Sequence, residues 1–224
     1  MILLAAATPW ETRPLCDAFG LRAVGPLRVG RCAGRELGLL RTGVGAERTR
    51  GALASLKDAP VRALVSVGFA GALRDDLRPG ELVIDLRGAP QDWLEAARKA
   101  AAGAGPLHLG PLADSERVLT EPSQKRALGA AQRAAAVDME SATLRSWAAE
   151  RGLPFMAARV ILDAASEAAP SEAPADDAPW TLAAYGLRNW RELPRMFRLA
   201  GRQRPAMDRL CAFLRRWLEE VTPA

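Results

Sequence analysis

Three near-continuous apolar runs constrain this chain most: Ile2 to Ala7, Val61 to Val67 and Leu153 to Leu162. Runs of this length without strict alternation are what strands covered on both faces look like, and such strands need helices on either side. The expectation is an α/β domain. The length fits one large domain, with nearly half the residues hydrophobic, enough for a sizeable core.

The last of these runs ends in Asp163, and a carboxylate at the carboxyl end of an apolar strand sits where open α/β sheets place ligand chemistry. Upstream, Asp138 is positioned as the N-cap of a helix from Met139 to Arg151, which Gly152 ends, with Glu140 in its first turn. By spacing alone, Asp138 and Glu140 are more simply capping charges and Asp163 a turn residue.

The first run is broken at Thr8-Pro9, and a helix from Trp10 to Phe19 follows, stopped by Gly20. Glu11 thereby stands beside the end of the first strand. Leu27 to Arg31 and Glu36 to Arg41 form a hairpin, and Thr42-Gly43-Val44-Gly45 leads into a helix from Ala46 to Lys57. Two glycines at that junction allow a ligand close to the backbone, or mark only a tight turn. After Val67, the small residues Gly68 to Ala72 suggest a pocket floor. Further elements are a strand from Glu81 to Leu86, a helix from Gln91 to Ala102, a strand from Leu107 to Leu112 and a helix from Pro122 to Gln132. His108, the one histidine, reads as a packed strand residue. Ala164 to Pro179 is composed like a loop or lid.

The end of the chain (187–224) is helical, in two segments: Leu187 to Leu199 and Arg204 to Val221. In the second, Met207, Leu210, Cys211, Leu214, Trp217, Leu218 and Val221 form one apolar stripe. The first alternates Trp190, Leu193, Met196 and Phe197 with arginines, which suits core or subunit packing and, as the weaker reading, peripheral membrane contact through residues 187–200.

The net charge of +5 comes from basic residues concentrated late, on helix faces without a recognised module, so nucleic acid is not expected as a partner. Cys16, Cys32 and Cys211 are odd in number and widely spaced, which fits free thiols of a reduced compartment. No signal peptide or span of ~20 apolar residues is visible, and the expected location is the cytoplasm. With one histidine and no ligand spacing, no metal is expected.

Four motifs then occur in order: ILLAAATPWE (Ile2 to Glu11), TGVG (Thr42 to Gly45), SVGFAGAL (Ser66 to Leu73), and AVDMES followed by RVILDAA. In order and spacing the chain resembles the purine nucleoside phosphorylase and nucleosidase superfamily, and within it the hopanoid-associated phosphorylases, which share the DMES form and a similar tail. The resemblance implies a single domain over residues 1–224, a three-layer α/β sandwich around a mixed, twisted sheet. It implies an enzyme that cleaves the N-glycosidic bond of an adenine nucleoside with a bulky apolar 5′ substituent, by phosphorolysis or hydrolysis. The alternative is a nucleosidase of the methylthioadenosine, adenosylhomocysteine or futalosine type, or a weakly catalytic binder of a nucleoside or lipid surface. No cofactor is implied beyond phosphate as co-substrate, and a homo-oligomer, dimer or larger, is.

The resemblance also assigns roles. Asp163 matches the general acid at the purine base, and Glu11 the residue that orients and deprotonates an attacking water. Glu140 matches the carboxylate that holds the ribose hydroxyls, with Met139 packed on the sugar. Asp138, Phe69, Ala70, Gly71, Phe155 and Val118 are expected around the substrate, and Thr8, Gly43, Gly45 and Arg48 around phosphate, with Arg31 and Arg74 in reserve. Phe69, Ala72 and Leu162 depart from the family's usual small or polar residues, which removes hydroxyls from the sugar or phosphate side and from the neighbourhood of the acid.

Overall fold

The computed structural model describes residues 1–56, 59–102, 105–170 and 192–221. The three apolar runs become β1 (Ile2–Ala6), β5 (Ala63–Ala72) and β10 (Phe155–Asp163), side by side and parallel at the centre of a ten-stranded sheet. Around them lie β2 (Arg22–Val24), β3 (Leu27–Cys32), β4 (Arg35–Arg41), β6 (Leu82–Asp85), β7 (Leu107–Leu109), β8 (Leu112–Asp114) and β9 (Ala136–Asp138). The sheet runs β2-β3-β4-β1-β5-β10-β6-β7, and β9 pairs antiparallel with the far end of β5 and parallel with β8. Antiparallel pairs flank the parallel centre at β2-β3-β4 and at β10-β6, so the sheet is mixed.

The helices are α1 (Pro9–Phe19), α2 (Ala46–Ala54), α3 (Gln91–Ala101), α4 (Pro122–Gln132), α5 (Ser141–Ala149) and α6 (Leu193–Glu220). Alternate residues of β1 feed opposite cores. Leu4 and Ala6 pack with Leu15 of α1, Trp93 of α3 and Trp217 of α6, while Leu3 and Ala5 pack with Leu53 of α2 and Leu144 of α5. Leu3 and Leu4 are both fully buried, and each contributes about 1.5–3 kcal/mol by leaving water. A one-residue slip of β1 would exchange its two faces, so burial on both sides fixes the register. The result is the three-layer α/β sandwich the sequence implies.

Several local expectations change. Gly68 to Ala72 continues β5 as strand, because Gly71 and Ala72 pair with Val137 and Ala136. Ala136 to Asp138 is correspondingly strand, and helix α5 starts at Ser141, with Glu140 at its N-cap position. Leu107 to Leu112 divides into β7 and β8, which follow different partners, β6 and β9. Helix α2 ends at Ala54, short of Lys57. The expected break between two C-terminal helices is absent: α6 runs through Pro205, which removes one helical hydrogen bond but not the helix, because the stripe from Ala206 to Leu218 is buried against α1, α3 and β10. Residues 171–179 of the expected lid and 187–191 of the expected interfacial helix lie outside the described residues. Among the described residues no helix is long and apolar enough to cross a membrane.

Candidate active site

The carboxyl ends of β1, β5, β9 and β10 converge on a cavity of about 210 Å³. Glu11, Glu140 and Asp163 line it together, with Thr8, Phe69, Ala70, Gly71, Val118, Asp138 and Met139. Its wall is completed by Ala7, Val44, Leu119, Val137, Leu162 and Ala169, and its polar rim includes Ser115 and Arg117.

Glu11 sits in the first turn of α1 and is 5 % exposed. Its Oε2 accepts from the amides of Ala7 (3.0 Å) and Thr8 (2.7 Å) and from the Thr8 hydroxyl (2.9 Å). Its Oε1 accepts from the Phe69 amide across the sheet at 2.8 Å. These bonds lock the carboxylate, and the lone pair left on Oε1 is where a further donor can bind. Gly68 makes this approach possible: with φ +147°, it leaves open the place where a Cβ would stand 2.1 Å from Glu11 Oε1.

Glu140 reaches the loop before α2, its Oε1 accepting from the Gly45 amide at 2.8 Å. Burial pushes its carboxyl up to about 7, the nearby Asp138 and Glu11 carboxylates adding to the rise and Arg159 and the Gly45 amide opposing it. A raised carboxyl favours folding below its unfolded value of 4.5, and that advantage disappears as pH rises towards 7. Glu140→Gln keeps an acceptor for Gly45 and cannot ionise. The variant is therefore expected to gain on the wild type between about pH 4.5 and 7, by on the order of 3 kcal/mol in all, in urea unfolding followed across pH. A stability difference that does not vary with pH would show that Glu140 carries no such burden.

Beneath these carboxylates lies a buried ionic cluster that sequence reasoning did not assign. Arg159 of β10, 2 % exposed, donates through Nε to Asp138 Oδ2 at 2.7 Å and through a terminal nitrogen to the hydroxyls of Ser66 (2.7 Å) and Ser141 (3.1 Å). Asp138 also accepts from the amide of Ser141 at 3.3 Å and from its hydroxyl. Burial alone would lower the guanidinium's pKa, but the carboxylates of Asp138, Glu140 and Glu11 outweigh it and hold it above its ordinary value. An arginine inside an apolar strand is the one signal in the sequence that could have found this cluster, since arginine is almost never fully buried unless paired.

Asp163 ends β10 after a register shift between Ile161 and Asp163, which inserts Leu162 and sets Asp163 opposite Gly71. Bulges re-aim side chains in this way. Its oxygens lie 3.3 and 3.4 Å from where a Cβ on Gly71 would stand. Burial raises its carboxyl above the ordinary value, Lys125 and Arg202 opposing and Glu167 adding. The partner it finds is Lys125 of α4, a fully buried residue whose Nζ donates to Asp163 Oδ2.

Four expected site residues fall elsewhere. Phe155 begins β10, at the opposite end of the strand from Asp163, and is packed in the core. Gly43, Gly45 and Arg48 do not line the cavity; the Gly45 amide is used by Glu140, and Arg48 is exposed and lies over Gly43. Nor do the reserve arginines line it: Arg31 bonds the Gly34 carbonyl and Arg74 pairs with Asp76. Thr8 does line it, but its hydroxyl hydrogen is given to Glu11. His108 bonds Glu81 at 2.9 Å, away from the cavity.

A central mixed sheet with helices on both faces and a carboxylate-lined cavity at its strand ends defines an α/β enzyme of nucleoside phosphorylase-like architecture. The chain belongs to the phosphorylase superfamily, whose family model matches residues 2–85 and 87–188. Among solved structures it is similar to a 5′-methylthioadenosine/S-adenosylhomocysteine nucleosidase from Neisseria meningitidis in complex with methylthio-immucillin-A (16 % identity, TM-score 0.75, covering 98 % of this chain and 99 % of that one). The corresponding enzyme from S. pneumoniae, with a transition-state inhibitor, shares 19 % identity at a TM-score of 0.71, over 98 % of both chains. The futalosine hydrolase of Helicobacter pylori shares 18 % at 0.70, over 95 % of this chain and 96 % of its own. At these identities the likeness is one of fold. A search of curated protein sequences gave no match.

Proposed function

We propose that the protein hydrolyses the N-glycosidic bond of a 5′-substituted purine nucleoside of the methylthioadenosine, adenosylhomocysteine or futalosine kind. The observation that carries this reading is the convergence of Glu11, Glu140 and Asp163 on one cavity. Asp163 gives a proton to the departing base; Glu140 accepts from the ribose hydroxyls, and its negative charge favours the developing sugar cation. Glu11 orients and deprotonates the attacking water through Oε1.

Hydrolysis is favoured over phosphorolysis by charge. Among the described residues, the cations lining the cavity are Lys125, already bonded to Asp163, and Arg117 at the exposed rim. Arg159 is committed to Asp138 and the two serines. A phosphate dianion beside Glu11 and Glu140 would meet two carboxylates, with the exposed Arg117 as the one guanidinium lining the cavity among the described residues. The expected result is purine release at equal rates with and without phosphate, with free sugar and no sugar 1-phosphate as product. Phosphate-dependent release with a phosphorylated sugar would reverse the assignment.

A second reading of the substrate, an adenine nucleoside with a bulky apolar 5′ group such as an adenosyl hopane, is supported by the wall of Phe69, Val118, Leu119 and Leu162. Comparing methylthioadenosine with 5′-alkyl adenosines of increasing length separates the two by kcat/KM. The homo-oligomer implied by the resemblance belongs to the same proposal, and sedimentation velocity measures it.

A further inference from the structure

The site contains a buried cation in an unfavourable place. Lys125 is the fourth residue of α4, near the helix end where backbone N–H groups create positive potential, and it is 1 % exposed. Burial removes the water that would solvate an ammonium, so its N–H groups must be bonded within the protein. Around Nζ stand three acceptors: Asp163 Oδ2, the Ala164 carbonyl at 3.0 Å and the Glu167 carbonyl at 2.7 Å. They match the three N–H groups of an ammonium.

The acceptors are not equivalent. The two carbonyls only accept, whereas a carboxylate can also hold a proton. Moving one proton from Nζ to Asp163 leaves an amine that still donates to Ala164 and Glu167 and whose lone pair faces the new carboxylic O–H. No hydrogen bond is lost, and two buried charges become none. Asp163 Oδ1 accepts no hydrogen bond among the described residues, and Asp163 lines the cavity, so the acid has a free edge towards a ligand.

The other charges near the pair are one carboxylate and two guanidiniums, Arg198 standing 3.8 Å from Glu167. Glu167, in the loop after β10, is held by Arg202 of α6 through bonds of 2.6 and 2.9 Å. Strands β5 and β9 present Gly71 and Val137 here, neither of which titrates.

We propose that Lys125 and Asp163 form one acid, in which the proton destined for the leaving base is stored on Lys125 Nζ and delivered through Asp163. This rests on the nucleosidase reading and adds a positioning residue to it. As the N-glycosidic bond breaks, its electron pair goes to the base; Asp163 gives the base a proton and receives one from Nζ. The attacking water bonds to the sugar carbon and gives its proton to Glu11, which passes it to solvent, and solvent returns one to Nζ.

The test compares a purine nucleoside with 4-nitrophenyl β-ribofuranoside, whose leaving group departs without a proton, across about pH 6 to 9. The ratio of the two kcat/KM values cancels any pH effect exerted through groups that act on both substrates, Glu140 among them. For the wild type the ratio is expected to stay level, because each proton Asp163 gives up is replaced from Nζ. For Lys125→Met, Asp163 must hold the proton alone, and the ratio is expected to fall about tenfold per pH unit above the pKa of that single acid. Lys125→Gln, which keeps a donor but cannot titrate, is expected to behave as Lys125→Met and serves if the methionine variant does not fold. Superimposable ratio profiles, or equal loss on both substrates, would overturn the proposal and leave Lys125 a packing residue. If neither variant folds, a wild-type ratio that already falls between about pH 6 and 7 overturns it. A wild-type protein that cleaves neither substrate removes the nucleosidase reading and this inference with it.

Discussion

Asp163→Asn is expected to lower the rate of purine release by ~10² to 10⁴ while leaving the protein folded, as measured by single-turnover chromatography beside circular dichroism. Asparagine has the shape of the acid and offers Nζ of Lys125 one oxygen in place of Oδ2, so the buried donor stays satisfied. The lysine also keeps the Ala164 and Glu167 carbonyls as acceptors. Chemistry is lost because the amide has no proton to give. Activity within threefold of wild type would remove Asp163 from the reaction.

The second large effect is on stability. Arg159→Met is expected to destabilise the fold by about 3–5 kcal/mol in urea, because it leaves the Asp138 carboxylate buried without its guanidinium. The loss reflects the orphaned charge more than the pair's net worth. Adding Asp138→Asn to Arg159→Met is therefore expected to recover part of it, although the sites are in contact and the two changes do not add. A loss below 1 kcal/mol for Arg159→Met, or no recovery in the double variant, would contradict this account.

The parts of the molecule readable from sequence are those decided locally. Apolar runs fixed β1, β5 and β10, Gly20 ended α1, and the buried stripe from Met207 to Val221 specified the packed half of α6. Asp163, Glu140 and Glu11 each stand at the edge of an apolar element, but by spacing alone they read as caps and turn residues, and only the order of the four motifs singled them out. What depends on distant partners could not. β9 is three residues long and exists as strand because β5 and β8 flank it, and β2 is an exposed edge with no apolar pattern. Nothing in the sequence marks Lys125, and it is the fold that brings Asp163, 38 positions away, against it. The glycines of the TGVG loop and of β5 pointed to close approach, but to one made by protein carboxylates, Glu140 at Gly45 and Glu11 at Gly68.

The register shift at Leu162 separates two things that could vary together. Which side chain stands at position 162 alters the cavity wall, whereas the register shift, which needs no particular side chain, is what sets Asp163 and not Leu162 opposite Gly71. The place of the carboxylate is thus a property of the backbone and the wall a property of chemistry. Substitutions at position 162 can reshape what the cavity admits while Asp163 keeps its station.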